Sequence, residues 1–184
     1  VKVIELRHCV LSIPGADICP AVIVYGGLYH LEGKWLLTKI PLRLQQNIIF
    51  VLPKHFTNSC THCLEELHAK VDPQAIRSYS LCGYSRGGIE VYRYATLKEW
   101  RLLGLIDPSA PTLGGFTDAA LDSFVNKIRC VYWVPNWGVH GYGGRVPRFA
   151  QHLRDLKVQM VEKPTHHFEM PAFFFSEFGT DFLS

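Results

Sequence analysis

The sequence predicts an α/β fold: a mostly parallel central sheet with helices on both faces. Three observations predict it. Short apolar runs recur along the chain with turn-like or helix-like segments between them, the alternation of an α/β protein. Most of these runs are apolar at every position, as strands are when helices cover both sides of a sheet, whereas a one-sided sheet would alternate. The composition, 48% hydrophobic and 19% charged over 184 residues, suits a single compact domain (1–184) able to bury about 70% of the surface its unfolded form would expose.

The strands are expected at "AVIVY" (21–25), "NIIFVL" (47–52), "SYSLCG" (78–83), "LLGLI" (102–106), "RCVYWV" (129–134) and "VQMVE" (158–162), with "VKVIELRHCVL" as one additional strand at the edge. The clearest helix follows "GGRVP": Val146, Phe149, Ala150, Leu153 and Leu156 share one face at three- and four-residue steps, and Pro147 suits a first turn. Leu64, Leu67 and Val71 give the segment after Ser59 a similar stripe. Further helices are expected from Ser85 to about Tyr94, near Asp118 to Asn126, and near Pro171 to Phe178. Pro41 opposes a long helix between the first two core strands, which predicts an irregular connection there.

The formal net charge is +3, with Lys and Arg scattered singly, which argues against nucleic acid as the main partner. No apolar stretch approaches the roughly 20 residues a membrane span needs. A soluble, cytoplasmic protein is expected; a removed amino-terminal segment is left open, since the chain begins at Val1. Of six cysteines, Cys82 and Cys130 lie in apolar runs, where free cysteine behaves as a small buried hydrophobe. Cys60 and Cys63 have C-x-x-C spacing with His62 and His68 nearby, but a zinc site needs four converging ligands and no second close pair exists. These two cysteines are read as helix residues packing beneath Leu64 and Leu67, with no metal and no cofactor expected.

The chemistry-bearing motif is GYSRGG, in which Ser85 sits between Gly83 and the pair Gly87 and Gly88. Strand, G-x-S-x-G, helix is the order of a nucleophile elbow, a turn so sharp that the serine adopts strained dihedrals and its neighbours tolerate almost no side chain. Such strain costs on the order of 1–3 kcal/mol, which suggests a use for the hydroxyl. The following helix aims its first N–H groups at the same place, favouring an oxyanion there. The competing reading is an ordinary strand-to-helix turn with Ser85 as a cap. A phosphate loop would end in Gly-Lys-Ser/Thr, which is missing.

From Ala21 onward the chain resembles the α/β-hydrolase fold family, especially its dienelactone hydrolase-like and carboxylesterase-like serine hydrolases. The resemblance rests on the elbow, on "VYGG" (24–27), similar to the family's glycine turn that lends an oxyanion-hole N–H, on "VHGYGGRVPRFAQHL", and on "THHFEMP", similar to the late histidine turn. It implies Ser85 as nucleophile and a late histidine as base, with His167 matching the family's H-F-x-M ending and His166 in reserve. N–H groups of Arg86 and Gly27, with Gly26 as reserve, would form the oxyanion hole. The remaining histidines, among them His8, His30, His55, His68 and His152, are read as surface or satisfied core residues.

The acid departs from the family pattern. Most relatives carry it after the strand matching "RCVYWV", where this chain reads "PNWGVHGYGGRVP" and has no carboxylate. Either Asp107, ending the preceding strand in "GLIDPSAP", is the acid, or Asn136 or a backbone carbonyl orients the imidazole. Asp107 also reads as a turn former. Tyr25, Tyr29, Tyr84, Trp137 and Tyr142 are either pocket lining or core. With little or no lid between Asp107 and Asp118, the site is expected to be open to small-molecule esters. The expected activity is carboxylic ester hydrolysis through an acyl-enzyme; the alternative is a hydrolase-like binding or structural module without chemistry. The oligomeric state is left open.

Overall fold

The computed structural model describes residues 1–27, 33–109, 111–117, 122, 128–133, 151–162 and 166–184. Its strands are β1 (Lys2–Glu5), β2 (Cys9–Ile13), β3 (Cys19–Tyr25), β4 (Ile49–Pro53), β5 (Ile76–Tyr84), β6 (Leu103–Ile106), β7 (Ile128–Trp133) and β8 (Met160–Glu162). They pair in one sheet of order β1-β2-β4-β3-β5-β6-β7-β8. From β4 across to β8 every pairing is parallel; the β1–β2 and β2–β4 pairings are antiparallel, so β2 alone runs against the others.

The helices are α1 (Gly33–Lys39), α2 (Leu42–Gln45), α3 (Cys60–His68), α4 (Gly88–Tyr94) and α6 (Met170–Phe178), with α5 helical over 151–155. Strand periodicity sorts the core into two layers. Ala21, Ile23, Tyr25, Ile49 and Val51 face Cys60, Cys63 and Leu67 of α3, Ile89 and Val91 of α4 and Leu153 of α5. Val22, Val24, Phe50 and Leu52 face Leu36 of α1, Leu44 of α2 and Met170, Phe174 and Phe175 of α6. Both faces of β3 and β4 are covered, so these central strands are buried throughout. The Cys60 and Cys63 side chains are fully buried in the first layer, and burial pushes the Cys60 thiol up to about 12, holding it neutral. Among the described residues no group of three His, Cys, Asp or Glu side chains is placed to hold a metal.

Two expectations are corrected. "VKVIELRHCVL" forms two strands, because the chain folds back at Arg7 and His8, where Leu6 N–H donates to the Cys9 carbonyl at 2.9 Å. Glu66 of α3 fixes that turn by accepting the His8 N–H at 3.1 Å and the Cys9 N–H at 3.2 Å, a long-range contact with no local signature. The connection before β4 is helical rather than irregular. Pro41 ends one short helix and, at φ −54°, stands as N-cap of the next, so it divides the helical segment instead of abolishing it. The expected helix near Asp118 to Asn126 and the start of the one after "GGRVP" fall outside the described residues, apart from Asp122.

The register places the working end of the sheet. Tyr25 pairs with Gly83 and Tyr84 with Ile106, so the turns that leave β3, β5 and β6 lie side by side. Crevices at the carboxyl ends of parallel strands are where such sheets bind ligands.

Candidate active site

Ser85 is the first residue after β5 and has φ +53°, the left-handed region that a non-glycine residue enters only at a cost. A short 3₁₀ turn, Ser85–Gly87, then runs straight into α4. Each glycine of the box answers a close approach. A Cβ on Gly87 would lie 2.5 Å from the Gly26 oxygen and 2.6 Å from that of Tyr25. One on Gly88 would meet Pro108 Cβ at 2.6 Å, and one on Gly83 would overlap the Gly87 carbonyl. The elbow is thus wedged between the turns after β3 and β6.

Asp107 leaves β6 at φ +42° with no exposed surface. The segment behind it is tied to the elbow: Ser109 N–H donates to the Ser85 carbonyl at 2.9 Å, and Tyr92 hydroxyl donates to the Ser109 carbonyl at 3.2 Å. A buried carboxylate needs a partner, and the partner is His167. Its Nδ1 lies 2.5 Å from Asp107 Oδ2. A carboxylate accepts, so the contact assigns the imidazole proton to Nδ1 and the acceptor role to Nε2.

His167 opens the 3₁₀ turn His167–Glu169 that leads into α6, while His166 is its N-cap. The backbone turns the two rings apart: His166 is exposed, whereas the His167 side chain is 12% exposed and pairs with the acid. Tyr84, the residue before Ser85, backs the imidazole at 4.6 Å between ring centroids, and its hydroxyl donates to the His167 carbonyl at 3.1 Å. The elbow, the acid turn and the histidine turn therefore converge. Gly26 and Gly27 are buried beside Gly87, and the Arg86 N–H lies in the first turn of the helical run, where backbone donors have no partner within the helix.

No protein-family model matches the sequence, and no curated protein matches it. Solved structures do. Est1E from Butyrivibrio proteoclasticus aligns at TM-score 0.59 and 15% identity, over 98% of this chain and 97% of that one. TT1662 from Thermus thermophilus aligns at TM-score 0.69 and 11% identity, over 98% and 95%. The esterase domain of a Rhodothermus marinus protein aligns at TM-score 0.68 and 16% identity, over 97% and 96%. The fold is that of the α/β hydrolases.

Within that α/β-hydrolase fold, sequence reasoning passed over three aromatic residues around the base. Tyr84 was weighed only as pocket lining or core, yet it is fully buried and grips the histidine turn. Trp35 lies 5.8 Å from Tyr84 and 6.4 Å from Phe168 between ring centroids, and Phe168 directly follows His167. The signals were local: a large ring inside G-x-S-x-G, and one beside the candidate histidine. Tyr25 is fully buried as well, its hydroxyl donating to the Asn58 carbonyl at 2.8 Å, so it is core. Asn136, Tyr29, Trp137, Tyr142 and His30 lie outside the described residues. Other histidines have structural partners: His8 with Glu66, His68 with the Tyr79 hydroxyl, His55 with Thr57 and His152 with Asp122.

Proposed function

We propose that this chain is a serine hydrolase acting on small carboxylic esters, with Ser85 as nucleophile, His167 as general base and Asp107 as the acid that orients it. The observation that carries the reading is the 2.5 Å contact between His167 Nδ1 and Asp107 Oδ2, made by residues 60 positions apart on turns tied to the elbow of the strained Ser85 through the Tyr84 hydroxyl and the Ser109 N–H. It supports Asp107 over Asn136 as the acid and His167 over His166 as the base.

In the mechanism this implies, Nε2 of His167 takes the Ser85 proton as Oγ attacks the ester carbonyl. N–H groups of Arg86 and Gly27, with Gly26 adjoining, receive the developing oxyanion, each such donor contributing about 2.7–4 kcal/mol when aimed at it. The imidazolium then protonates the departing alcohol, and water releases the acid from the acyl-enzyme by the same steps in reverse. Burial of Asp107 strengthens its hold on the imidazolium in both halves of the cycle. The esterases of like fold support a carboxylic ester as substrate. The few residues between Asp107 and Asp118 in the sequence leave little room for a lid, which favours acetate and butyrate esters over long-chain ones.

The experiment is covalent labelling with a fluorophosphonate. Labelling at Ser85 that Ser85→Ala abolishes and His167→Ala weakens is the expected result. Folded wild-type protein that takes no label, and hydrolyses no aryl acetate, overturns the proposal and favours a binding module of the same fold.

A further inference from the structure

From the rings that surround the base, we infer that Phe168 and Trp35 form a leaving-group subsite selective for flat, apolar alcohols; this rests on the hydrolase reading above. Four rings run in sequence from the interior to solvent. Tyr84 is fully buried and stacks on His167; Trp35 is half-buried and tilts against Tyr84 at 5.8 Å; Phe168 meets Trp35 edge to face at 6.4 Å and is itself 57% exposed. Phe168 is also 5.7 Å from the His167 ring. Single exposed apolar side chains need no explanation. This one is not single: it ends a packed aromatic series whose other end is the candidate base.

Chemistry says which part of a substrate lies there. When the tetrahedral intermediate collapses, the bond from the carbonyl carbon to the ester oxygen breaks, and that oxygen takes its proton from His167 Nε2. The alcohol moiety is therefore held against whatever borders the imidazole. Phe168 borders it at 5.7 Å and Trp35 packs edge to face on Phe168; both offer ring faces and edges, which pair best with another ring in offset or edge-to-face geometry. Lys39 Nζ lies 5.3 Å from the Trp35 ring centroid, keeping the outer edge of the platform polar. The carbonyl oxygen points to the oxyanion donors instead, and the acyl chain leaves the carbonyl carbon by a different bond from the alcohol.

The test separates the alcohol side from the acyl side and from catalysis itself. Benzyl acetate and isobutyl acetate have alcohols of similar acidity but different shape, and methyl phenylacetate carries its ring on the acyl side. Wild-type protein should prefer benzyl over isobutyl acetate in kcat/KM. Phe168→Ala should reduce that preference by roughly 2- to 12-fold, the range for loss of one aromatic pair, while Phe168→Tyr preserves it. Methyl phenylacetate turnover and fluorophosphonate labelling of Ser85 should fall by less than benzyl acetate turnover does. A second arm uses Ser85→Ala protein, which needs no turnover: 2-naphthol should quench tryptophan emission with an affinity that Phe168→Ala weakens by a similar factor. An unchanged benzyl preference, an equal fall for all three esters, or 2-naphthol binding indifferent to Phe168 overturns the subsite. Failure of labelling in wild type, with Phe168-dependent 2-naphthol binding retained, overturns the hydrolase reading and leaves the aromatic site standing.

Discussion

Tyr84 holds His167 in two ways at once: its ring stacks on the imidazole at 4.6 Å and 26°, and its hydroxyl donates to the His167 carbonyl at 3.1 Å. The residue before the candidate nucleophile thus fixes the turn that carries the candidate base, so two positions 83 apart in sequence are positioned as one unit. Burial also pushes the Tyr84 phenol well above its ordinary range, with the nearby Asp107 carboxylate adding to the effect, so the hydroxyl keeps its proton and remains a donor. Tyr84→Phe should retain the stack and lose the hydrogen bond, lowering kcat on aryl acetates by up to about 10-fold, in line with a net hydrogen bond of about 0.5–1.5 kcal/mol. Tyr84→Leu removes the stack too and should cost more in kcat than in KM. Steady-state kinetics with a parallel thermal melt separate misplacement of the base from simple instability.

Asp107→Asn tests the acid without disturbing the backbone. Position 107 has φ +42°, and asparagine is among the few residues that tolerate that region. The amide cannot hold the imidazole in the tautomer with its proton on Nδ1. By analogy with serine hydrolases in general, kcat should fall by about 10⁴-fold while a residual rate above water persists. If Asp107→Asn keeps wild-type kcat on an aryl acetate, another group orients His167.

Much of this architecture was legible beforehand, and the physical reason is periodicity. Most of the strands from β3 to β8 announce themselves as short runs apolar on both faces, and the elbow is marked by glycines whose missing Cβ atoms are demanded by local close approach. Tertiary choices were not legible. Nothing in "RHC" says that Glu66, from a distant helix, will capture the His8 and Cys9 amides and turn one expected strand into two. Asp107 reads from sequence either as the acid or as an Asp-Pro turn former, and it is folding that brings its carboxylate to His167. The choice between His166 and His167 rests on resemblance; folding leaves His166 exposed and pairs His167 with Asp107.

Gly87→Ala probes the wedge itself. The added methyl would sit within 2.6 Å of both the Gly26 and Tyr25 carbonyl oxygens, and backbone cannot yield as a flexible side chain does. Overpacking of this kind costs about 1–3 kcal/mol. Because the atoms displaced belong to the turn proposed to hold the oxyanion, catalysis should suffer beyond stability. Labelling of Ser85 by fluorophosphonate is expected to slow by at least about 10-fold, at a temperature where far-UV circular dichroism shows the variant still folded.

Glu90, two turns into the helical run after Ser85, links the site to stability. It is 3% exposed, and its Oε2 lies 3.5 Å from Arg93 Nη1 without making a hydrogen bond. Burial raises its carboxyl above the ordinary value of 4.5, and the opposing pull of Arg93 and Arg86 does not cancel the effect. The folded state therefore binds this proton more tightly than the unfolded state. The resulting stability is fully present below about pH 4.5 and is lost as pH rises through the folded-state value, above which the protein carries an ionised, under-bonded carboxylate in its interior. Glu90→Gln keeps the shape and cannot ionise, so it should melt higher than wild type at pH 8, with the gap narrowing as pH falls toward 4.5. For a chain of this length each kcal/mol moves Tm by about 2–4 °C, well within the resolution of scanning fluorimetry. A Tm difference that stays constant from pH 8 to pH 5, or a variant less stable than wild type throughout, would mean that Glu90 is ionised and paired with Arg93 or Arg86 in the folded state after all.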